Sequence, residues 1–146
     1  MFHHLDPLTV RAAFPDAADV FLATVSAVPA DRWEEPCLGE WTVRELTGHA
    51  LRSFSTLRRL CDTTPDEHVG ETFVGPMRLA GYLPTRVVEV ALHTLDLQAA
   101  IGQPLLLPAS AANVTLGVLA ELADLPVLLL AMTGRQALPT GFNVIA

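Results

Sequence analysis

The strongest constraint on this chain is a run of apolar residues at helical rather than strand spacing. Val43, Leu46, Ala50, Phe54, Leu57 and Cys61 are three or four positions apart, so in a helix they share one face. The run has a marked beginning. Thr42 stands three residues before Glu45, the spacing of a capping box, in which each side chain satisfies the other residue's backbone amide. Trp41 precedes the cap and Leu46 lies one turn in, the arrangement of a hydrophobic staple. A helix with one apolar face has to bury it against another element.

The remainder of the chain is punctuated in the same helical way. Pro15-Asp16 reads as a helix start. Ala17 to Val28 follows as helix and stops before Pro29, with residues 5–14 as a separate short turn. A polar loop from Ala30 to Glu40 contains Trp33, Pro36 and Gly39. The third helix is predicted from about Pro84 to Ile101, with Gly102 at its end. Ser110 caps a fourth helix through Leu122, and Pro126 starts a short apolar helix ending near Gly134. Arg135 to Ala146 is loop or extended chain. Residues 62–83 hold Pro65, Gly70, Gly75, Pro76 and Gly81. They form a long irregular connection between the second and third helices, with room for a short helical piece; connections of this length often pack over a site. With 146 residues and no strong strand alternation, the expectation is one all-α domain, a four-helix bundle.

Charge and hydropathy narrow the partners. The net charge is −7, and the nine basic residues, all Arg, are scattered, with only Arg58 and Arg59 adjacent. Phosphate binding needs clustered cations, so nucleic acid and anionic membrane are excluded as expected partners. No stretch approaches the roughly 18 to 20 apolar residues of a membrane helix. The N-terminus lacks the basic flank and apolar run of a signal peptide, so the expected location is cytoplasmic. Cys37 and Cys61 form no close metal-binding pair and read as small core or boundary residues.

The chemistry is concentrated on the third helix. On a helical wheel Arg86, Glu89, His93 and Asp96 fall within an arc of about 80°. The remaining surface carries Val87, Val88, Val90, Ala91, Leu92, Leu95, Leu97, Ala99 and Ala100. A helix this apolar is largely buried, and buried charges need partners. Glu89 and His93, one turn apart on one face, have a suitable spacing for two ligands of one metal ion. His49, at the edge of the second helix's apolar stripe, can supply a third. Two imidazoles and a carboxylate suit zinc, nickel or ferrous iron, and three protein ligands leave a coordination position for water or substrate. Asp96 could orient a ligand imidazole, and Arg86 could hold an anionic group.

Two segments resemble the signatures of a known family. Trp41-Thr42-Val43-Arg44-Glu45-Leu46-Thr47-Gly48-His49, with Trp33, Pro36, Cys37 and Gly39 upstream, resembles the W-T-V-R-x-L-x-x-H motif of the mycothiol-dependent maleylpyruvate isomerase family in the DinB-like superfamily. Glu89 to Leu97, followed by Ala100 and Gly102, resembles its E-x-x-x-H-x-x-D-L motif. Leu129 to Arg135 is similar to the conclusion of short actinobacterial members. The resemblance implies a DinB-like four-helix bundle and a divalent metal, usually zinc, on His49, Glu89 and His93. It also implies the thiol mycothiol as co-substrate, in transfer to, or isomerisation of, an electrophilic small molecule. Arg86 and Arg135 then become candidates for binding a carboxylate, and Trp41 with Arg86 for lining the thiol site. The stretch between His49 and Glu89 is shorter than in typical members, and no counterpart of their C-terminal domain is expected, so maleylpyruvate itself is not the expected substrate.

Two other readings stay open. One is a non-catalytic helical bundle, a dimeric binding or stress-related protein, in which the ligands are already neutralised by Arg86. The other is a metal-dependent hydrolase with Asp96 or a loop carboxylate as general base. Trp33 and Trp41 are expected as core anchors, with a pocket wall as the alternative. His3, His4 and His68 are expected in solvent, as are Asp62, Asp66, Glu67 and Glu71. The apolar run Pro126 to Met132 is expected to be buried within the bundle, with a homodimer contact as the alternative.

Overall fold

The structure is a computed structural model that describes residues 5–63, 69–72 and 75–145, with only the backbone course given for residues 58–63, 69–72, 75–77 and 79. Among the described residues five helices account for most of the chain: α1 (Pro7–Ser26), α2 (Val43–Thr63), α3 (Leu79–Ala100), α4 (Ala109–Leu122) and α5 (Leu125–Met132). Two short antiparallel hairpins accompany them, β1 (Pro36–Leu38) with β2 (Trp41–Thr42) and β3 (Val69–Thr72) with β4 (Gly75–Arg78). None of the helices is long and apolar enough to cross a membrane.

Helix α3 is the hub, packing against α1, α2 and α4, while α1 also packs on α4. Its buried Val87, Val90 and Leu97 meet Val10, Ala13, Ala17 and Phe21 of α1, Val43, Leu46, Ala50 and Leu57 of α2 and Ala111 and Val114 of α4 in one core. The α2 stripe read from the sequence is thus the buried face; Phe54 packs at its margin with its ring 5.5 Å from that of Phe21. The side chain of Cys61 lies outside the described residues, as do His3, His4, His68 and the acidic side chains expected in the connection.

Several boundaries differ from expectation for local physical reasons. Helix α1 is continuous from Pro7, not broken before Pro15. Asp6 caps it, accepting a hydrogen bond from the Thr9 amide at 2.9 Å, with Pro7 in the first turn. Pro15 sits on the exposed side, where water replaces the hydrogen bond that proline cannot donate. Helix α3 begins at Leu79 and carries Pro84 inside it; the bond given up is the one to Ala80, itself exposed. Among the described residues of the connection before it stands the β3–β4 hairpin, with no helical piece. Ser110 does not cap α4. It donates to Asp16 Oδ2 at 2.6 Å and ties α4 to α1. Gly102 and Gly134, with φ of 70° and 69°, end α3 and α5 in the left-handed conformation that glycine adopts without steric cost.

Two features position the site. Buried Gln98 exchanges hydrogen bonds with the Leu106 backbone, accepting from its amide at 2.8 Å and donating to its carbonyl at 3.1 Å. These bonds hold the α3–α4 loop against α3. The capping box is formed as read: the Thr42 amide donates to Glu45 Oε2 at 2.9 Å and the Glu45 amide to Thr42 Oγ1 at 3.2 Å. It fixes where α2 begins and hence where His49 points. One packing expectation fails. Helix α5 has no buried residue, and Leu125, Leu129, Leu130 and Met132 are all exposed. This two-turn helix, capped by Asp124, packs only partially, with Val127, Leu128 and Ala131 half-buried, and does not fill the core.

Candidate metal centre

The capping box starts α2 at Val43, which puts His49 nearly two turns in and Ser53 one further turn along the same face. From α3, Arg86, Glu89, His93 and Asp96 face the same region. His49 Nε2 lies 3.3 Å from Glu89 Oε1. The rings of His49 and His93 meet edge to face, 5.5 Å between centroids. One donor atom from each of His49, Glu89 and His93 falls within 4.8 Å of the other two. Two imidazole nitrogens and a carboxylate oxygen are a donor set for a divalent cation; ligands at about 2 Å from one ion are spaced by roughly 3 to 4 Å, a spacing the His49–Glu89 pair has at 3.3 Å.

Each donor is held by a neighbour. Ser53 Oγ donates to Glu89 Oε1 at 2.7 Å, and Arg86 forms an ion pair with Glu89 Oε2. The Arg86 guanidinium also lies over the Tyr82 ring, 4.8 Å from its centroid, which fixes it from the other side. His93 Nδ1 lies 3.2 Å from Asp96 Oδ2, leaving Nε2 as the donor atom, the arrangement by which a carboxylate orients a ligand imidazole. Trp41 lies against His49, with ring centroids 4.7 Å apart. The side chains of Glu89 and His93 are 13% and 15% exposed and that of His49 37%, so the centre is recessed with His49 at its rim. Burial pushes the His49 imidazole below its ordinary value, opposed by the Glu89 charge; a neutral imidazole is the form that binds a metal.

Three cavities converge here, and each pair of donors lines a different one. Glu89 and His93 border a slot of about 350 Å³ between α3 and α4. His49 and His93 border a cavity of about 400 Å³ walled by Trp41 and the β1–β2 turn, Leu38 to Glu40. His49 and Glu89 border a third of about 350 Å³, lined mainly by polar side chains including Arg52, Thr56 and Tyr82.

The structure therefore brings His49, Glu89, His93, Arg86, Asp96 and Trp41 together. Trp41 is a pocket wall, 38% exposed, rather than a core anchor; Trp33 is the anchor, packed against the core with the Arg44 guanidinium 5.6 Å from its ring centroid. Arg135 is exposed after α5 and borders none of the three cavities. Sequence reasoning missed Ser53, Arg52, Tyr82 and Glu40. A signal for Ser53 and Arg52 was present, since they follow His49 by four and three residues on one helix face. Tyr82 fell in the segment read as connection because α3 begins at Leu79, and Glu40 carried none because the β1–β2 turn that presents it is too short to show alternation. Cys37 is half-buried, and burial together with the nearby Asp96 charge raises its thiol pKa.

No family model, curated protein or solved structure matches the chain.

Proposed function

We propose that this chain is a divalent-metal-dependent enzyme that joins a low-molecular-weight thiol to an electrophilic small molecule, or isomerises it through such an adduct, on a DinB-like four-helix bundle. The observation that carries the reading is the convergence of His49, Glu89 and His93 within 4.8 Å at the meeting point of three cavities. The two histidine motifs that resemble the mycothiol-dependent isomerases support it, since they contain the same three residues. Zinc suits the donors best; nickel and ferrous iron fit the same set.

The bound cation would supply charge that stabilises a thiolate at neutral pH. The chain's own groups do the rest. Ser53 and Arg86 hold the Glu89 carboxylate in place, and Asp96 fixes the His93 tautomer. Arg52 borders the polar cavity, where it can receive an anionic or hydroxyl-rich part of the thiol. Trp41 packs against the His49 ring, 4.7 Å between centroids, and fixes its orientation. The Arg86–Glu89 pair is the feature that a non-catalytic scaffold would show, but it engages Oε2 and leaves Oε1 facing His49.

One observation favours a second reading. Glu40 borders the cavity shared by His49 and His93, where a carboxylate could act as general base for a hydrolase; Asp96, committed to His93, is poorly placed for that role. The test is cobalt substitution followed by titration with a thiol such as mycothiol. The first reading predicts one cobalt per chain and a thiolate-to-cobalt charge-transfer band that saturates. Cobalt binding with no band, combined with ester hydrolysis lost in Glu40→Gln, would establish the hydrolase instead.

A further inference from the structure

The slot between α3 and α4 differs in kind from the other two cavities. Val88 and Leu92 of α3, Val118, Leu119 and Leu122 of α4, and Ile145 form its walls. Val88 and Val118 are buried at its inner end, while Leu122 and Ile145 are exposed at its mouth. Its polar groups are Thr85, Arg86, Glu89 and His93, all contributed by α3. Each ionisable one is already engaged: Arg86 with Glu89, and His93 through Nδ1 with Asp96. The slot therefore offers an incoming molecule no unpaired charge among the described residues. Helix α4 adds none, since from Ala109 to Leu122 its one ionisable residue is Glu121, which does not border the slot. The volume, about 350 Å³, is within the range of small-molecule sites and far above the roughly 30 Å³ share of a single water. The slot is open at its mouth, and apolar walls of this extent favour an apolar occupant because covering them removes apolar surface from water.

We propose that this slot binds the apolar body, aliphatic or aromatic, of an uncharged small molecule whose reactive end lies beside Glu89 and His93. The molecule enters between Leu122 and Ile145. The polar cavity beyond His49, with Arg52, Ser53 and Tyr82, remains for a hydrophilic co-substrate, so two molecules of opposite character reach the donor triad from different sides. The assignment of the apolar molecule as the electrophile rests on the metal-and-thiol reading; the binding site itself does not.

The test uses the uncharged fluorophore N-phenyl-1-naphthylamine with the full chain, with and without zinc. The expected result is one saturable site per chain. Leu119→Glu, which puts a carboxylate into the half-buried wall, lowers the affinity about tenfold or more, and Val118→Trp, which fills the inner end, does the same. Zinc stoichiometry is unchanged in both variants. Leu129→Glu on the exposed α5 leaves the affinity as it was. Should Val118→Trp fail to fold, Leu119→Glu decides. Unchanged affinity in Leu119→Glu, or loss in Leu129→Glu alone, overturns the proposal and leaves the metal reading intact. Slot-dependent binding in a chain that holds no zinc supports the site and removes the metal reading instead.

Discussion

Ser53→Ala isolates the support given to the metal centre from the centre itself. Ser53 Oγ donates to Glu89 Oε1 at 2.7 Å, the carboxylate oxygen nearest His49. The Glu89 side chain is 13% exposed, so water replaces the lost donor only in part, while Arg86 still holds Oε2. Groups that orient a metal ligand in this way typically contribute about 10- to 100-fold in metal affinity, which corresponds to about 1.4 to 2.7 kcal/mol. The substitution should leave the fold intact, because alanine favours the helical conformation over serine. The assay is zinc competition against a chromophoric chelator at fixed pH, with circular dichroism as the check on folding. The expected outcome is a zinc affinity lowered by about 10- to 100-fold with unchanged helicity. Affinity equal to wild type would show that the hydroxyl does not position Glu89. Tighter binding would show that it competes with the cation for Oε1.

Other outcomes follow from the same geometry. Asp96→Asn removes the negative partner of His93 Nδ1, at 3.2 Å, and should weaken zinc binding by about tenfold or more in the same competition assay. Cys37 should react slowly with iodoacetamide in a Cys61→Ser background. Its thiol is raised mainly by burial and then by Asp96, so at a given pH the folded protein holds less thiolate than the unfolded chain. The reaction rate should climb at higher pH than for an unfolded control, and Asp96→Asn should restore only a minor part of the difference. Phe21→Ala removes a fully buried ring from the core, together with its contact to Phe54 at the core's margin. It should cost about 3 to 5 kcal/mol, read as a lower denaturant midpoint.

The parts legible in the sequence are those set by helical periodicity and local capping. The α2 stripe, its Thr42–Glu45 cap and the Arg86–Glu89–His93–Asp96 arc each follow from spacing along one helix; that spacing pairs Glu89 with His93, while His49 comes from its place at the edge of the α2 stripe and from the motif resemblance. What was lost depends on contacts between distant segments. Pro15 and Pro84 look like helix starts, yet both are interior: Pro15 sits on the exposed side of a helix held by its other face, and Pro84 is itself buried in the packed first turns of α3. Helix α5 is so apolar that burial was the natural expectation, but burial also needs a groove to receive it, and periodicity says nothing of that. The two hairpins are too short to show alternation, and Gly39 with φ of 56° was the one local sign of the first. Arg135 was placed by resemblance to a motif at the chain's end rather than by any pairing, and it stands away from the cavities.

The central claim is that His49, Glu89 and His93 bind one cation together. X-ray absorption at the zinc edge of protein loaded with one equivalent of zinc tests it directly. The expected spectrum has a first shell of nitrogen and oxygen at about 2.0 to 2.2 Å with outer-shell scattering from two imidazoles, falling to one imidazole in His49→Ala and in His93→Ala. A zinc ion with no imidazole signal, or one whose spectrum is unchanged by either substitution, would contradict it.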